Sequence, residues 1–313
     1  LQEDEDQQGL AHFVEHMAFN GSANFDSGEI INFFESIGME YGPHLNASTG
    51  FDETIYNLKI PTENPANIKK SMLVLADFAG EVSFKEQAFE NERKVVVEEW
   101  RQSLGSSERQ IEKLIQISFE NSKYALRNPI GKVDLIKTFD PQRARDFYYE
   151  WYRPELMAVI AIGDFEKENI VSLIKEHFSP LTNPTQARPR EVYSVPLTSK
   201  DSVHFVTDTE ETTTWLQVLF NHKAKLFQTQ GDYRDELVLG MYLYLLNQRL
   251  SEIDMQKDPP FVTAEIYVEQ LTPKNTEYAL AFSPLNNDFE RGFEAILTEI
   301  NRVRQHGFLN SEL

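Results

Sequence analysis

After Pro180, prolines recur at Pro184, Pro189 and Pro196 among Asn, Thr and Ser, and this stretch most constrains what the chain can fold into. Proline fixes its own φ and lacks a backbone donor, so such a composition neither continues a helix nor sits inside a sheet. The stretch reads as a linker at residues 184–200, dividing the 313 residues into pieces of ordinary domain size at 1–183 and 201–313. Hydrophobic residues make up 41% of the chain, enough to build ordinary folded cores. There is no cysteine, so disulfides, thiolate nucleophiles and cysteine metal ligands are excluded.

In the first piece, the spacing predicts helices over residues 9–20 and 27–37, separated by the turn Asn20-Gly21-Ser22. Residues 46–49 and 53–60 alternate polar and apolar side chains, as strands with a solvent-facing side do. Asn64-Pro65 opens a helix whose Ile68, Met72, Leu75, Ala76 and Ala79 form a core stripe, and a long acidic helix follows over 85–103. Residues 111–119 are amphipathic, and Asp140-Pro141 caps a helix that runs to about Trp151. Residues 157–163 read as a buried strand and 166–177 as an amphipathic helix. In the second piece, 204–208, 213–221, 261–268 and 276–283 are strand-like, while 232–250 and 288–306 are helical. Each piece therefore predicts an α+β domain.

Thirty basic residues against fifty acidic ones leave a formal net charge of −20, which repels phosphate backbones and makes nucleic acid an unlikely class of partner. The longest clean apolar run, at 157–162, is too short for a transmembrane segment. The chain opens on Leu1 and reads as a piece of a longer polypeptide whose targeting peptide, if any, lies outside it. Absence of cysteine suits a periplasmic or otherwise exported protein and equally suits the cytoplasm.

Within the first predicted helix stands His12-Phe13-Val14-Glu15-His16, an H-x-x-E-H order that sets two histidines and a carboxylate at i, i+3 and i+4 on one helix face. A hydrolytic zinc needs about three protein ligands and one open position for water. His12 and His16 supply two ligands, and Glu15 lies where it can take a proton from that water as general base. The third ligand must come from elsewhere, and the acidic helix offers Glu92, Glu98 and Glu99, of which Glu92 and Glu99 are seven apart and share a face.

Four separated blocks carry a resemblance: Gly9-Leu-Ala-His-Phe-Val-Glu-His-Met-Ala-Phe-Asn-Gly21, Asn46-Ala-Ser-Thr49, Asn91-Glu-Arg-Lys-Val-Val-Val-Glu-Glu99 and Trp151-Tyr-Arg-Pro154. Together they resemble the pitrilysin/insulinase family of zinc metallopeptidases, and the chain is similar to the first half of a larger bacterial zinc protease of that family. The resemblance implies two related domains, each a mainly antiparallel sheet packed with helices. The first would bear the zinc site and lack its opening strands; the second would be truncated and without the motif. It also implies that Glu99 is the third zinc ligand with Glu92 its supporting neighbour in the catalytic apparatus, Glu98 being the fallback. Asn46 and Ala47 would lie on an edge strand that takes up peptide substrate, with Phe19 a further substrate contact. A second half, in the same polypeptide or a partner subunit, would close around the peptide and contribute an arginine and a tyrosine that this chain does not place. The expected activity is zinc-dependent endopeptidase action. The alternatives are a non-catalytic structural or assembly subunit of the same fold, or a zinc binder inactive as an isolated piece.

Overall fold

The computed structural model of the chain describes residues 1–197 and 200–312, so positions 198–199 of the expected linker and the last residue of the second piece lie outside it. The chain folds into two compact units, Leu1–Gly105 with Leu126–Glu191 and Ser106–Ala125 with Val192–Leu313. Helices and small antiparallel sheets make up the architecture, which is α+β. The units part at Glu191 and Val192, within the proline-rich stretch, but Ser106–Ala125 groups with the second unit although it lies in the first piece of the sequence. Linker composition is local, whereas grouping follows from which side chains meet across long sequence separations.

The first unit is built on α1 (Leu10–Phe19), α2 (Glu29–Ser36), a hairpin of β1 (Leu45–Thr49) and β2 (Thr54–Leu58), α3 (Pro65–Gly80) and α4 (Glu86–Gln102). After α5 (Ser106–Ser118), which belongs to the second unit, it resumes with α6 (Val133–Ile136), α7 (Pro141–Trp151) and α8 (Lys167–Phe178). Side-chain caps at Asn64 and Asp140, each followed by proline, start α3 and α7. Helix α1 carries two stripes. Leu10, Phe13, Val14, Met17 and Ala18, spaced i, i+3, i+4, i+7 and i+8, are fully buried in the core, where the larger side chains each contribute roughly 1.5–3 kcal/mol. His12, Glu15 and His16 fall on the opposite stripe. This helix packs against α3, α4, α7 and the β1–β2 hairpin, so the motif is carried by one of the most constrained elements of the unit.

The start of α1 is held by groups outside the motif. Glu3, buried at 7% exposure, accepts hydrogen bonds from the backbone N–H of Gly9 at 3.0 Å and Ala11 at 2.9 Å, capping the helix's positive end. Its acidic neighbours are paired: Asp4 with Arg188 at 2.7 Å, Glu5 with Arg127 at 2.5 Å and Asp6 with Arg143 at 2.7 Å. Gly131, at φ +81°, comes so close that a Cβ there would lie 2.3 Å from the Gly9 Cα. Only glycine allows that approach.

Two expected strands do not form. Residues 157–163 have no strand structure, and Ile160 and Ile162 are 79% and 91% exposed. Residues 204–208 likewise form no strand, and Phe205 is 89% exposed. Both segments have β-forming side chains, but a strand also needs a neighbour for its backbone groups, and among the described residues none pairs with either.

The second unit continues with β3 (Leu216–Lys223), α9 (Gln230–Asp254), β4 (Phe261–Thr272), β5 (Asn275–Pro284) and α10 (Phe289–His306). Its antiparallel sheet has the order β3-β5-β4. Register pairs Val218 with Leu280 and Ile266 with the same residue, so one face of the sheet presents a continuous apolar row. Phe261 and Phe282 of the sheet, Leu250 of α9 and Ile296 in the helix after β5 are fully buried in one core. A reciprocal capping box between Thr229 and Asp232 begins α9. No helix among the described residues is long and apolar enough to cross a membrane.

Candidate metal centre

Helix α1 supplies both histidines and α4 supplies two glutamates one heptad apart. The His12 and His16 rings stand edge to face with centroids 4.7 Å apart, which brings their Nε2 atoms to 3.2 Å. Glu99 Oε2 is 3.4 Å from His16 Nε2, and Glu99 Oε1 is 3.8 Å from His12 Nε2. One donor atom from each of the three lies within 4.8 Å of the others, and among the described residues this is the single cluster of three or more such side chains able to hold a metal.

The donor set fits zinc. Bonds of about 2.0–2.1 Å at tetrahedral angles separate ligand atoms by about 3.3–3.4 Å, close to the spacings around His16 Nε2. Glu99 is half exposed, so its longer reach to His12 closes by rotation of one side chain. Protonation bears on the same point. Burial, then the neighbouring His16, drive the His12 pKa down to about 4, while the Glu92 and Glu99 carboxylates overcome burial at His16 and push it up to about 9. Two ring nitrogens thus face each other at 3.2 Å beside a carboxylate, an arrangement that suits a divalent cation. The hydrogen bond from His16 holds the Glu99 carboxyl below the usual range, keeping it ionised.

Glu92 lies behind this cluster. Its Oε1 is 2.7 Å from His16 Nδ1 and its Oε2 accepts from Asn20 Nδ2 at 2.7 Å, while the same amide nitrogen donates to the His16 carbonyl at 3.1 Å. With Nδ1–H donated to Glu92, the Nε2 lone pair of His16 faces the cluster. Glu98, the fallback, turns away and pairs with Arg101 at 2.7 Å.

Glu15 is 8% exposed, and burial pushes its carboxyl up from the ordinary value. Thr49, at the end of β1, donates to its Oε2 at 2.6 Å. Sequence reasoning misses this threonine, although a signal is present: inward positions in β1 alternate Leu45, Ala47 and Thr49, and a polar residue at the last of them needs a partner. Asn46 is exposed, with its side-chain oxygen accepting from the Ala47 N–H at 2.9 Å, and Ala47 packs against the core. Strand β1 has β2 on one side and no other strand beside it among the described residues. Phe19 is 8% exposed and its ring packs against Tyr41, Tyr56 and Phe78, so it belongs to the core that backs the site.

Residues 1–130 match the family described as Insulinase (Peptidase family M16), and residues 138–313 match the one described as Peptidase M16 inactive domain. A Haemophilus influenzae protein named "Probable zinc protease PqqL" is 31% identical over 316 residues, which cover 100% of this chain and 34% of that protein. The "Zinc protease PQQL-like" of Arabidopsis thaliana is 36% identical over 275 residues, 87% of this chain and 29% of that one. Among solved structures, the first half of the periplasmic protease PqqL from Escherichia coli is 26% identical with a TM-score of 0.81, covering 99% of this chain and 66% of that chain. This chain thus spans about a third of the length of these curated relatives.

Proposed function

Because the chain belongs to the insulinase family of peptidases, family M16, we propose that it is the zinc-bearing portion of an endopeptidase that hydrolyses peptides or unfolded segments. The observation that carries this reading is the convergence of His12, His16 and Glu99 beside a buried Glu15. Relatives named as zinc proteases support the choice of metal.

In this reading His12 Nε2, His16 Nε2 and a Glu99 oxygen would hold the zinc, which when bound would supply Lewis acidity towards a water and a peptide carbonyl. Glu15 takes the proton from the attacking water, and its partial desolvation brings its basicity closer to neutral pH. The same carboxyl then delivers the proton to the leaving amine. Glu92 fixes the His16 tautomer and ring orientation without touching substrate. A peptide strand added along the open side of β1 would bind through its main chain, with Asn46 on the solvent-facing surface and Ala47 beneath. A second half, from the same polypeptide or a partner subunit, would enclose the peptide; the Escherichia coli protein whose first half resembles this chain is described as periplasmic, and we extend that location to this protein.

The test is zinc content by elemental analysis together with peptide hydrolysis by the complete protein. Glu15→Gln is expected to keep about one zinc and lose hydrolysis by at least about a hundredfold, whereas His16→Ala loses the zinc itself. A Glu15→Gln protein that still cleaves would remove Glu15 from the role of base.

A further inference from the structure

The hydrogen bond on Glu15 is the last link of a longer chain. Thr49 Oγ1 is 3.3 Å from Thr54 Oγ1, its register partner across the hairpin. Glu15, Thr49 and Thr54, from α1, β1 and β2, are thereby connected in one line.

Donor counting gives that line a direction. An ionised carboxylate only accepts, so Thr49 spends its single proton on Glu15 Oε2. Thr54 must then donate to Thr49. Thr49 thus gives one hydrogen bond and receives one, and reversing its link to Thr54 would leave Glu15 facing a lone pair. Two positions along β2 from Thr54, Tyr56 packs against Phe78 with ring centroids 5.0 Å apart and its hydroxyl lies 2.8 Å from that of Tyr152, so the strand that carries Thr54 is anchored in the core.

Resting on the reading of Glu15 as the general base, we infer that Thr49 is a positioning residue: the hydroxyl pair Thr54–Thr49 clamps Oε2 of Glu15 and leaves Oε1 as the oxygen that takes the proton. A carboxylate held by one oxygen keeps one rotamer and presents the other oxygen reproducibly, the kind of preorganisation on which proton transfer depends. Thr49 touches neither the metal ligands nor the reacting water.

Two measurements test this. The first is a thermal double-mutant cycle on the chain itself, with no activity required. Thr49→Val is expected to lower Tm by about 4 °C in the Glu15 protein and by less than about 1 °C in a Glu15→Ala background, because the partner has gone. Equal shifts in both backgrounds would overturn the clamp. The second uses the complete, zinc-loaded protein: Thr49→Val should keep its zinc, lose about tenfold or more in kcat and leave KM within about twofold, while Thr49→Ser, which retains the hydroxyl, stays within about threefold of the parent. A Thr49→Val enzyme with unchanged kcat would overturn the positioning role. Thr54→Val, one link further out, should show the same pattern at smaller amplitude and serves where Thr49→Val fails to fold. If the parent protein binds zinc without hydrolysing peptides, the endopeptidase reading fails, and the thermal cycle still decides whether Thr49 holds Glu15.

Discussion

Glu92, Glu98 and Glu99 are chemically identical and lie within eight positions of one helix, yet they occupy three different situations. Glu99 faces the two Nε2 atoms, Glu92 is spent on His16 Nδ1 and Asn20, and Glu98 pairs with Arg101 in solvent. A supporting carboxylate of this kind acts through the basicity and orientation of the ligand it holds. Glu92→Gln is therefore expected to weaken zinc binding by about 10- to 100-fold, measured by competition with a chromophoric chelator, and Glu98→Ala to leave it within about twofold. Equal losses from both variants would mean that general negative charge, not the hydrogen bond to His16, retains the metal. At this scale the histidines and Glu15 are legible in the sequence because their spacing sets their geometry. Thr49 is not, since its role depends on a strand that returns 34 positions later.

Elements succeed or fail according to whether a neighbour completes them. Helix α1 is readable end to end, because its apolar stripe and its motif stripe both repeat at helical spacing. The segments at 157–163 and 204–208 mislead, because β-forming side chains advertise a strand whether or not another strand accepts its hydrogen bonds. Strand β5 carries a different kind of conflict. Glu277 is 5% exposed, faces Glu269 across the ladder on one side and Asn221 on the other, and its Oε2 has no hydrogen-bond partner. Burial, reinforced by Glu269, pushes its pKa up to about 7 from 4.5. A carboxyl whose folded-state pKa is raised favours folding in its protonated form, so that contribution is fully present below about pH 4.5 and is lost as pH rises through about 7. Glu277→Gln is accordingly expected to raise Tm at pH 8 and leave it nearly unchanged at pH 4.5, as read by thermal denaturation. A variant less stable than the parent at pH 8 would show that the carboxylate has a favourable partner.

For the whole molecule, the candidate metal centre lies within a single unit, since His12, His16, Glu15, Glu92 and Glu99 all belong to the first. Zinc at about one hundred times its Kd adds about 2.7 kcal/mol to whatever unfolds with the site, so the melting transition of that unit should rise by roughly 5–10 °C while that of the second stays in place. His16→Ala should abolish the shift; a shift that survives the substitution would place zinc somewhere else. The sequence by itself determined the α+β class, the helix that carries H-x-x-E-H, the caps at Asn64 and Asp140, and the pairing of positions 92 and 99 on one face. These are local regularities, set by backbone geometry and by side chains a few residues apart. Only the tertiary structure decided that Glu99, not Glu98, faces the histidines, that Glu3 caps α1, that Phe19 is core, and that Ser106–Ala125 groups with the second unit. Each of those depends on groups brought together from distant parts of the chain, and such contacts are fixed by which surfaces can be buried and which polar groups can be satisfied at the same time.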